Sequence, residues 1–242
     1  MTLLKITGLR VDRSGIPVIR GVDLVARSGE ISVLLGSNGA GKTTLLESLS
    51  GIIPHKAGAI EIDDLDLARL RPGTRAKRGL SHVEQGRTVF PEMTTEENLK
   101  VALHADADLA EAYDLFPELL QRRNVKSGML SGGEQQMLVI ARSIVNRPRI
   151  IMIDEMSSGL APVIVSRLMT AVRRLADSGM AVILVEQFAT LALAIGNRAY
   201  VLRRGEVVYD GDCQTLARDP ALMHRLYLGY SETAAAEGSA LQ

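Results

Sequence analysis

The residues best suited to chemistry form a run of nine, GSNGAGKTT, which matches the pattern G-x-x-x-x-G-K-[ST] between an apolar and a helical segment. Its glycines let backbone N–H groups converge on an anion at the start of a helix. Lys42 can neutralise the β and γ phosphates of a nucleotide, and the Thr43 hydroxyl can bind Mg²⁺. A glycine-rich turn that only starts a helix is the alternative, but a chance match in this context is rare. The predicted phosphate-binding residues are Gly36, Ser37, Asn38, Gly39, Ala40, Gly41, Lys42, Thr43 and Thr44.

A second candidate is the pair of carboxylates, Asp154 and Glu155, that ends the apolar run RIIMIDE. Ligands of open α/β sheets collect at the carboxyl ends of the strands, so this pair is placed to meet a nucleotide. We expect Asp154 to hold Mg²⁺, usually through water, and Glu155 to polarise the water that attacks the γ-phosphate. An acidic strand end without a role is the alternative, and the phosphate-binding pattern in the same chain weighs against it.

The third candidate is LSGGEQQ, in which Ser131, Gly132 and Gly133 precede a helical pattern. Ser131 suits the N-cap of that helix, which is a purely structural interpretation. A cap does not need two glycines, however, and this arrangement makes a second anion-binding site. Two phosphate-binding loops in one chain suggest that a nucleotide is shared between two copies.

The elements that must position these residues indicate a mixed α/β fold. Five apolar segments lack in/out alternation, which indicates strands covered on both faces in a largely parallel sheet. They are residues 31–35, 79–83, 149–154, 181–185 and 199–203. Helices are predicted over residues 41–50, 132–146, 161–176 and 188–195. Residues 1–60 instead contain alternating strands broken by glycine and proline, which predicts an antiparallel edge sheet.

Residues between 85 and 141 contain no good strand pattern and are predicted to form short helices punctuated by Pro91 and Pro117. We therefore expect a helical insertion within one α/β domain. The predicted divisions are a single domain over 1–230, with its core at 1–85 and 142–230, a helical subdomain at 86–141 and a disordered tail at 231–242.

The overall charge and the cysteine content limit the binding partners and the cellular compartments that we expect for this chain. The chain has 28 lysines and arginines against 28 acids, so no global field draws in nucleic acid or an anionic membrane. Cys213 is the only cysteine, which excludes an internal disulfide framework and favours a reducing, cytosolic setting. The N-terminus lacks the apolar run of a signal peptide. Residues 179–196 are apolar enough to suggest a membrane span, but Glu186 and Gln187 favour a strand followed by a helix.

With LSGGEQQ and the other two motifs in this order, the sequence resembles the ATP-binding cassette (ABC) family over residues 3–230. The resemblance implies a P-loop NTPase core, ATP and Mg²⁺ as cofactors, and a head-to-tail dimer that sandwiches ATP between the 36–44 loop of one subunit and the signature of the other. Gln85 matches the family glutamine that contacts Mg²⁺ and the attacking water. Residues 158–160 match the D-loop, which crosses the dimer interface.

The segments EQGRTVFPEMTTEENL, YDLFPELLQRR, SGGEQQML, SSGLAP and LVEQ resemble the F-type ATPase of LIV branched-chain amino-acid importers. This likeness implies a subunit on the cytoplasmic face of the inner membrane that works with a solute-binding protein, two permease subunits and a paralogous or identical ATPase. Urea and short-amide importers use similar ATPases, so the substrate stays open. Two further hypotheses are a soluble ABC ATPase of DNA repair or translation and a regulatory protein that binds nucleotide without hydrolysing it.

Three positions depart from the family pattern. Gln187 stands where most members have a histidine, and we expect it to contact the γ-phosphate by hydrogen bonding, which places it with Lys42, Gln85 and Glu155 among the catalytic residues. Arg13 stands where an aromatic residue usually stacks on adenine, and a guanidinium plane can do the same, although an exposed, solvated arginine is the alternative. Met156 replaces a proline after the carboxylate pair, which predicts a less rigid loop.

Overall fold

The computed structural model describes residues 3–104, 108–187 and 189–228. Within these ranges the chain forms two sheets and a set of mostly short helices. The strands are β1 (Leu3–Arg13), β2 (Ile16–Arg27), β3 (Ile31–Leu35), β4 (Ala57–Ile62), β5 (Leu65–Asp66), β6 (Leu80–Val83), β7 (Ile150–Asp154), β8 (Ala181–Val185), β9 (Arg198–Arg203) and β10 (Glu206–Asp212). The helices are α1 (Lys42–Ser50), α2 (Pro72–Lys77), α3 (Thr95–Lys100), α4 (Ala110–Leu115), α5 (Pro117–Gln121), α6 (Gly132–Ile144), α7 (Pro162–Asp177), α8 (Ala189–Ile195), α9 (Cys213–Ala217) and α10 (Pro220–Leu228).

The larger sheet has the strand order β10-β9-β3-β8-β7-β6. Strands β9, β3, β8, β7 and β6 run parallel to one another, as their apolar segments predicted. Every residue of β3, β7 and β8 is buried, because the sheet is covered on both faces. Strand β10 was not predicted. It pairs antiparallel with β9 after a tight turn at Arg204 and Gly205, and its residues are exposed or half-buried.

The smaller sheet is antiparallel, in the order β2-β1-β4-β5, and confirms the antiparallel edge predicted for the first part of the chain. It packs with α1 over one face of the larger sheet, while α6 and α7 cover the other face. Alternate residues of β3 therefore enter different cores. Val33 lies among the helices, and Leu34 lies between the two sheets. The predicted mixed α/β fold class is confirmed.

Between β6 and β7 the described chain is mostly helical, and two of its helices have reciprocal N-caps. Thr94 caps α3 and Ser131 caps α6, each with a reciprocal hydrogen bond to a glutamate three residues later. Asn98 is fully buried and donates to the carbonyls of Phe90 and Thr94. These bonds tie α3 to the segment that precedes it. The division of the chain at residues 86 and 141 stays a prediction.

The apolar stretch over residues 179–196 contains strand β8 and helix α8, in agreement with the strand and helix interpretation. Phe188, the predicted start of that helix, and the predicted tail at 231–242 lie outside the described residues. In the three described ranges, we find no helix with both the length and the apolar character that a bilayer crossing requires.

Arg75 of α2 anchors the C-terminal end of α1 and provides a test of what holds this helix in place. Its side chain is buried, and Nη1 donates to the carbonyls of Ser48 and Leu49 at 2.8 and 2.7 Å. A cation at this end also complements the helix dipole. We expect Arg75→Ala to lower the free energy of unfolding by about 3 kcal/mol, measured by urea denaturation, because it leaves buried carbonyls without a charged donor.

The control is Arg71→Ala, because Arg71 is exposed at the start of the same helix. This change should alter the free energy of unfolding by less than about 0.5 kcal/mol. Equal effects of the two substitutions would contradict the anchoring role of Arg75.

Candidate functional site

The predicted phosphate-binding loop connects β3 to α1, and two of its glycines, Gly36 and Gly41, stand where close contacts leave no room for a side chain. A Cβ atom added to Gly36 would lie 2.3 Å from the carbonyl oxygen of Leu202, which is backbone and cannot move aside. Gly41 has φ +110°, and an added Cβ would lie 2.8 Å from Ile19 Cδ1. The loop therefore runs tightly between β9 and β2. Its remaining outward face is lined by backbone and by short polar side chains.

Lys42 is held at the centre of this loop. Its side chain is only 5% exposed, and Nζ donates to the carbonyl of Gly36 at 2.9 Å and to that of Ser37 at 3.4 Å. The same ammonium lies 3.7 Å from Glu155 Oε1. Because the loop and the end of β7 share this one cation, the two predicted motifs form a single site.

Glu155 directly follows β7 and has a left-handed backbone, with φ +48°. This conformation costs about 1–3 kcal/mol for a residue other than glycine, and it persists where the surroundings impose it. The Glu155 N–H donates to the carbonyl of Val185 at 2.9 Å, and Gln85 Nε2 donates to Glu155 Oε2 at 2.8 Å. The carboxylate is thus held between Lys42 and Gln85.

These groups open into a cleft of about 390 Å³, a volume within the usual range for small-ligand sites. The lining residues are Arg13, Val18, Asn38, Gly39, Gly41, Lys42, Thr43, Thr44, Gln85 and Glu155. Val18 was missed in the sequence, because nothing local distinguishes it from any other apolar strand residue. Ala40 is buried beneath the loop. Neither Gln187 nor the Ser131–Gly133 loop lines this cleft.

Asp154 is the last residue of β7 and is 1% exposed. In the described part of the chain, neither of its carboxylate oxygens has a hydrogen-bond partner. Burial raises the pKa of Asp154 and the charge of Glu155 adds to the rise, whereas the nearby Thr43 hydroxyl and the Lys42 ammonium oppose it. Asp154 is thus a buried carboxylate without a hydrogen-bond donor among the described residues, and the Thr43 hydroxyl lies near it. Carboxylate and hydroxyl oxygens are ligands that Mg²⁺ prefers, so these residues fit the predicted metal.

Arg13 lies at the edge of the cleft, where its side chain is 52% exposed. Nη2 donates to Glu47 Oε1 at 3.2 Å, and Nη1 donates to Thr44 Oγ1 at 3.4 Å. The guanidinium is therefore tied to α1. Glu47 was not predicted, and its signal would have been a carboxylate one helical turn after Thr44 on the same helix face.

The Ser131–Gly133 loop has a well-defined structure. The Glu134 N–H donates to Ser131 Oγ at 3.3 Å, and the Ser131 N–H donates to Glu134 Oε2 at 2.8 Å, so Ser131 is the N-cap that the sequence predicted. A Cβ added to Gly132 would lie 2.8 Å from Arg87 Nη1, and one added to Gly133 would lie 2.8 Å from Ile164 Cγ2. Packing against Ile164 thus disfavours a side chain at position 133, whereas the exposed Arg87 side chain can move aside for one at position 132.

Met156 and Gln187, the other two positions singled out in the sequence, also have defined surroundings. Met156 is 1% exposed and lies in the core between the larger sheet and the helices, so the residue that replaces proline anchors the loop by packing. Gln187 is exposed after β8, and its carbonyl accepts from the Ala189 N–H at 3.1 Å. The side chain of Gln187 is therefore free to meet a ligand that reaches this strand end.

Comparisons with known proteins agree with this geometry. The chain matches the ABC transporter family over residues 19–158. It is 37% identical over 220 residues to BraG, a high-affinity branched-chain amino acid transport ATP-binding protein of Pseudomonas aeruginosa, with 88% of this chain and 94% of BraG covered. It is 33% identical over 222 residues to LivF, a probable branched-chain amino acid transport ATP-binding protein of Archaeoglobus fulgidus, with 88% and 94% covered.

Two further comparisons bear on function and fold. LptB, the lipopolysaccharide export system ATP-binding protein of Escherichia coli, is 33% identical over 237 residues, with 95% of this chain and 98% of LptB covered. The crystal structure of a nucleotide-free ATP-binding cassette from an ABC transporter superposes with a TM-score of 0.84 at 20% identity, over 95% of this chain and 100% of that one. The resemblance that the motifs indicated is thereby confirmed: the chain belongs to the ABC transporter family and is an ATP-hydrolysing enzyme.

Proposed function

We propose that this chain energises an ABC importer for branched-chain or other hydrophobic amino acids. The convergence of Lys42, Gln85 and Glu155 on one cleft carries the enzymatic part of the proposal, because it joins a phosphate-binding cation to a carboxylate that can activate water. The names of the relatives BraG and LivF support the choice of substrate.

Each residue of the cleft has a distinct proposed role. Lys42 binds the β and γ phosphates, Glu155 accepts a proton from the attacking water, and Gln85 orients that water through the hydrogen bond it already makes to Glu155. Thr43 and Asp154, together with Gln85, would hold Mg²⁺, which when bound supplies positive charge to the phosphoryl oxygens. The pKa of Asp154 is raised because burial disfavours its negative charge, and a cation that arrives with the nucleotide would offset that cost.

Gln187 is proposed to contact the γ-phosphate in place of the usual histidine. Its exposure at the end of β8, the strand next to β7, supports this role. Gln187→Ala should lower both the ATPase rate and transport, and unchanged values of both in the full transporter would contradict the proposal.

A second subunit is proposed to complete the nucleotide site. The Ser131–Gly133 loop stands outside the cleft of its own chain, which suits a loop that closes over the cleft of a partner, either a second copy or a paralogue. In sedimentation velocity, the Glu155→Gln chain with ATP and Mg²⁺ should form dimers, whereas the same chain with ADP should not.

The matched variant for the dimer is Glu155→Gln combined with Ser131→Arg. We expect it to stay monomeric with ATP, because a large cation then fills the space beside the N-terminus of α6. ATP-dependent dimerisation that is equal in the two chains would show that the Ser131–Gly133 loop takes no part in the shared site.

Arg13 is proposed to stack on adenine, since its guanidinium lies at the edge of the cleft and is oriented by Glu47. Stacking of this kind contributes about 0.5–1 kcal/mol at an exposed site. Arg13→Ala should therefore weaken ATP binding about threefold in isothermal titration calorimetry. The control is Arg20→Ala, because Arg20 is exposed and does not line this cleft. Unaltered affinity in Arg13→Ala would favour a solvated arginine.

The proposed partners are two membrane permease subunits and, through them, a solute-binding protein, with the chain bound at the cytoplasmic face of the inner membrane. No binding of nucleic acid is proposed, because the net charge is zero. Over residues 1–230 the chain is proposed to be one ABC domain with a helical subdomain at 86–141. The helical subdomain and Gln85 are proposed to face the permease.

The substrate is tested with the full transporter in proteoliposomes. Solute-binding protein loaded with leucine should stimulate ATP hydrolysis, and the same protein with urea or a short amide should not. Stimulation by urea alone would favour a urea importer. The relationship to LptB makes export the second candidate, and stimulation by lipopolysaccharide without any solute-binding protein would favour it.

A further inference from the structure

Glu186 is a buried carboxylate that has none of the roles proposed above. It follows β8 directly, precedes Gln187 and is fully buried. Ser157 Oγ donates to Glu186 Oε2 at 2.5 Å. Across the described ranges, Glu186 Oε1 has no hydrogen-bond partner. Keeping an ionisable group away from water in this way costs free energy, which an apolar residue at the same position would avoid.

The environment of Glu186 joins two segments of the site. Burial is the largest influence on the pKa of this carboxyl and raises it, and the charge of Glu155 acts in the same direction. The Ser157 hydroxyl and the backbone N–H groups of Gln187 and Ser157 oppose the rise. The carboxyl is therefore contacted both by the turn that follows β7 and by the end of β8.

The turn that follows β7 is attached to β8 on both sides of Met156. On the first side, the Glu155 N–H donates to the carbonyl of Val185 at 2.9 Å. On the second side, the Ser157 hydroxyl donates to Glu186, the next residue after Val185. Between these two bonds the backbone takes the left-handed conformation at Glu155. Such a conformation persists where neighbours impose it, and these are hydrogen bonds from the turn to the end of β8 and the residue that follows it.

We propose that Glu186 is a positioning residue for ATP hydrolysis, which holds the turn after β7 through the Ser157 hydroxyl so that Glu155 points into the cleft. The inference rests on the proposed role of Glu155 in activating water. Glu186 does not line the cleft, so it acts through Ser157 and not on the nucleotide. Glu186 also couples the orientation of the Glu155 side chain to the backbone segment that carries Gln187.

Steady-state ATPase kinetics of the full chain in its transporter complex test this inference. Ser157→Ala and Glu186→Ala should each lower kcat about tenfold and leave KM for ATP within about twofold. The reason is that the Glu155 carboxylate loses its orientation, whereas the contacts that bind ATP in the ground state are kept. The double variant should be no slower than either single variant, since both remove the same bond. Glu186→Gln keeps an acceptor for the Ser157 hydroxyl and should stay within about threefold of the unmodified protein.

The matched control is Ser32→Ala, because Ser32 is 1% exposed and its hydroxyl donates to the carbonyl of Val25 at 3.2 Å, away from the cleft. Its kcat should be unchanged. An unchanged kcat in Ser157→Ala, an effect on KM alone, additive losses in the double variant, or an equal loss in Ser32→Ala would each overturn the inference. If Glu186→Ala does not fold by circular dichroism, Ser157→Ala and Glu186→Gln decide.

Glu155→Gln is assayed in parallel to separate the two hypotheses. A normal rate in Glu155→Gln would remove the proposed general base and, with it, the role of Glu186. An inactive Glu155→Gln together with a normal Ser157→Ala would leave the general base in place and remove only the role of Glu186.

Discussion

Glu155→Gln should lower the ATPase rate by at least about 100-fold while ATP still binds, because a general base contributes about 10²- to 10⁴-fold to a rate. Glutamine has nearly the same shape and can still accept the hydrogen bond from Gln85, but it cannot take a proton from water. The substitution also removes the negative charge 3.7 Å from Lys42 Nζ, which leaves the ammonium more available to phosphate. We therefore expect an ATP affinity equal to or greater than that of the unmodified chain.

The rate is measured by phosphate release from the transporter complex, and the affinity by calorimetry on the full chain. Glu30→Gln is the control, because Glu30 stands before β3 and does not line the cleft. It should hydrolyse ATP at the normal rate. Normal hydrolysis by Glu155→Gln would exclude Glu155 as the general base, and a large loss of ATP affinity would show that it serves binding instead.

Lys42→Met should weaken ATP binding by roughly 10- to 150-fold, because a hydrogen bond from a charged group contributes about 1.5–3 kcal/mol and the β and γ phosphates lose this donor. Methionine fills the space of the aliphatic stem, which is almost fully buried, so the loop keeps its packing. The carbonyls of Gly36 and Ser37 lose a donor, and Glu155 loses its nearby cation.

Calorimetric titration with ATP and with AMP separates the charge effect from a general distortion of the loop. The affinity for AMP should change little, because AMP lacks the two phosphates that Lys42 is proposed to bind. Lys56→Met is the control, because Lys56 is 69% exposed and pairs with Asp12 outside this cleft. An equal loss for ATP and AMP would show that Lys42 supports the loop and does not bind those phosphates.

Some features could be predicted from the sequence because the residues that produce them lie close together in the chain. The glycine-rich loop between β3 and α1 is one: its glycines, its lysine and the start of α1 are consecutive in the chain. The N-cap at Ser131 is another, because the partner Glu134 is three residues away. The buried strands β3, β7 and β8 could also be read from their apolar composition, since both faces of the sheet are covered.

Other features depend on contacts that no local pattern encodes. Gln85 and Glu155 are separated by 70 residues, yet they share a hydrogen bond in the cleft. Arg13 meets Glu47 across 34 residues, and Ser157 meets Glu186 across 29. Strand β10 was missed for a related reason. Its residues are partly exposed, so it lacks an apolar signature, and it is identified only by pairing with β9.

The amino-acid sequence by itself determined the glycine-rich loop before α1, the carboxylate pair at the end of β7 and the family, because each of these depends on residue types at fixed, short spacings. Only the tertiary structure decided that Lys42, Gln85 and Glu155 converge on one cleft, that Met156 is an anchor and that Glu186 contacts the turn after β7. The physical reason is that these relations arise when β6, β7 and β8 align in parallel, which brings the residues after each strand to the same edge of the sheet.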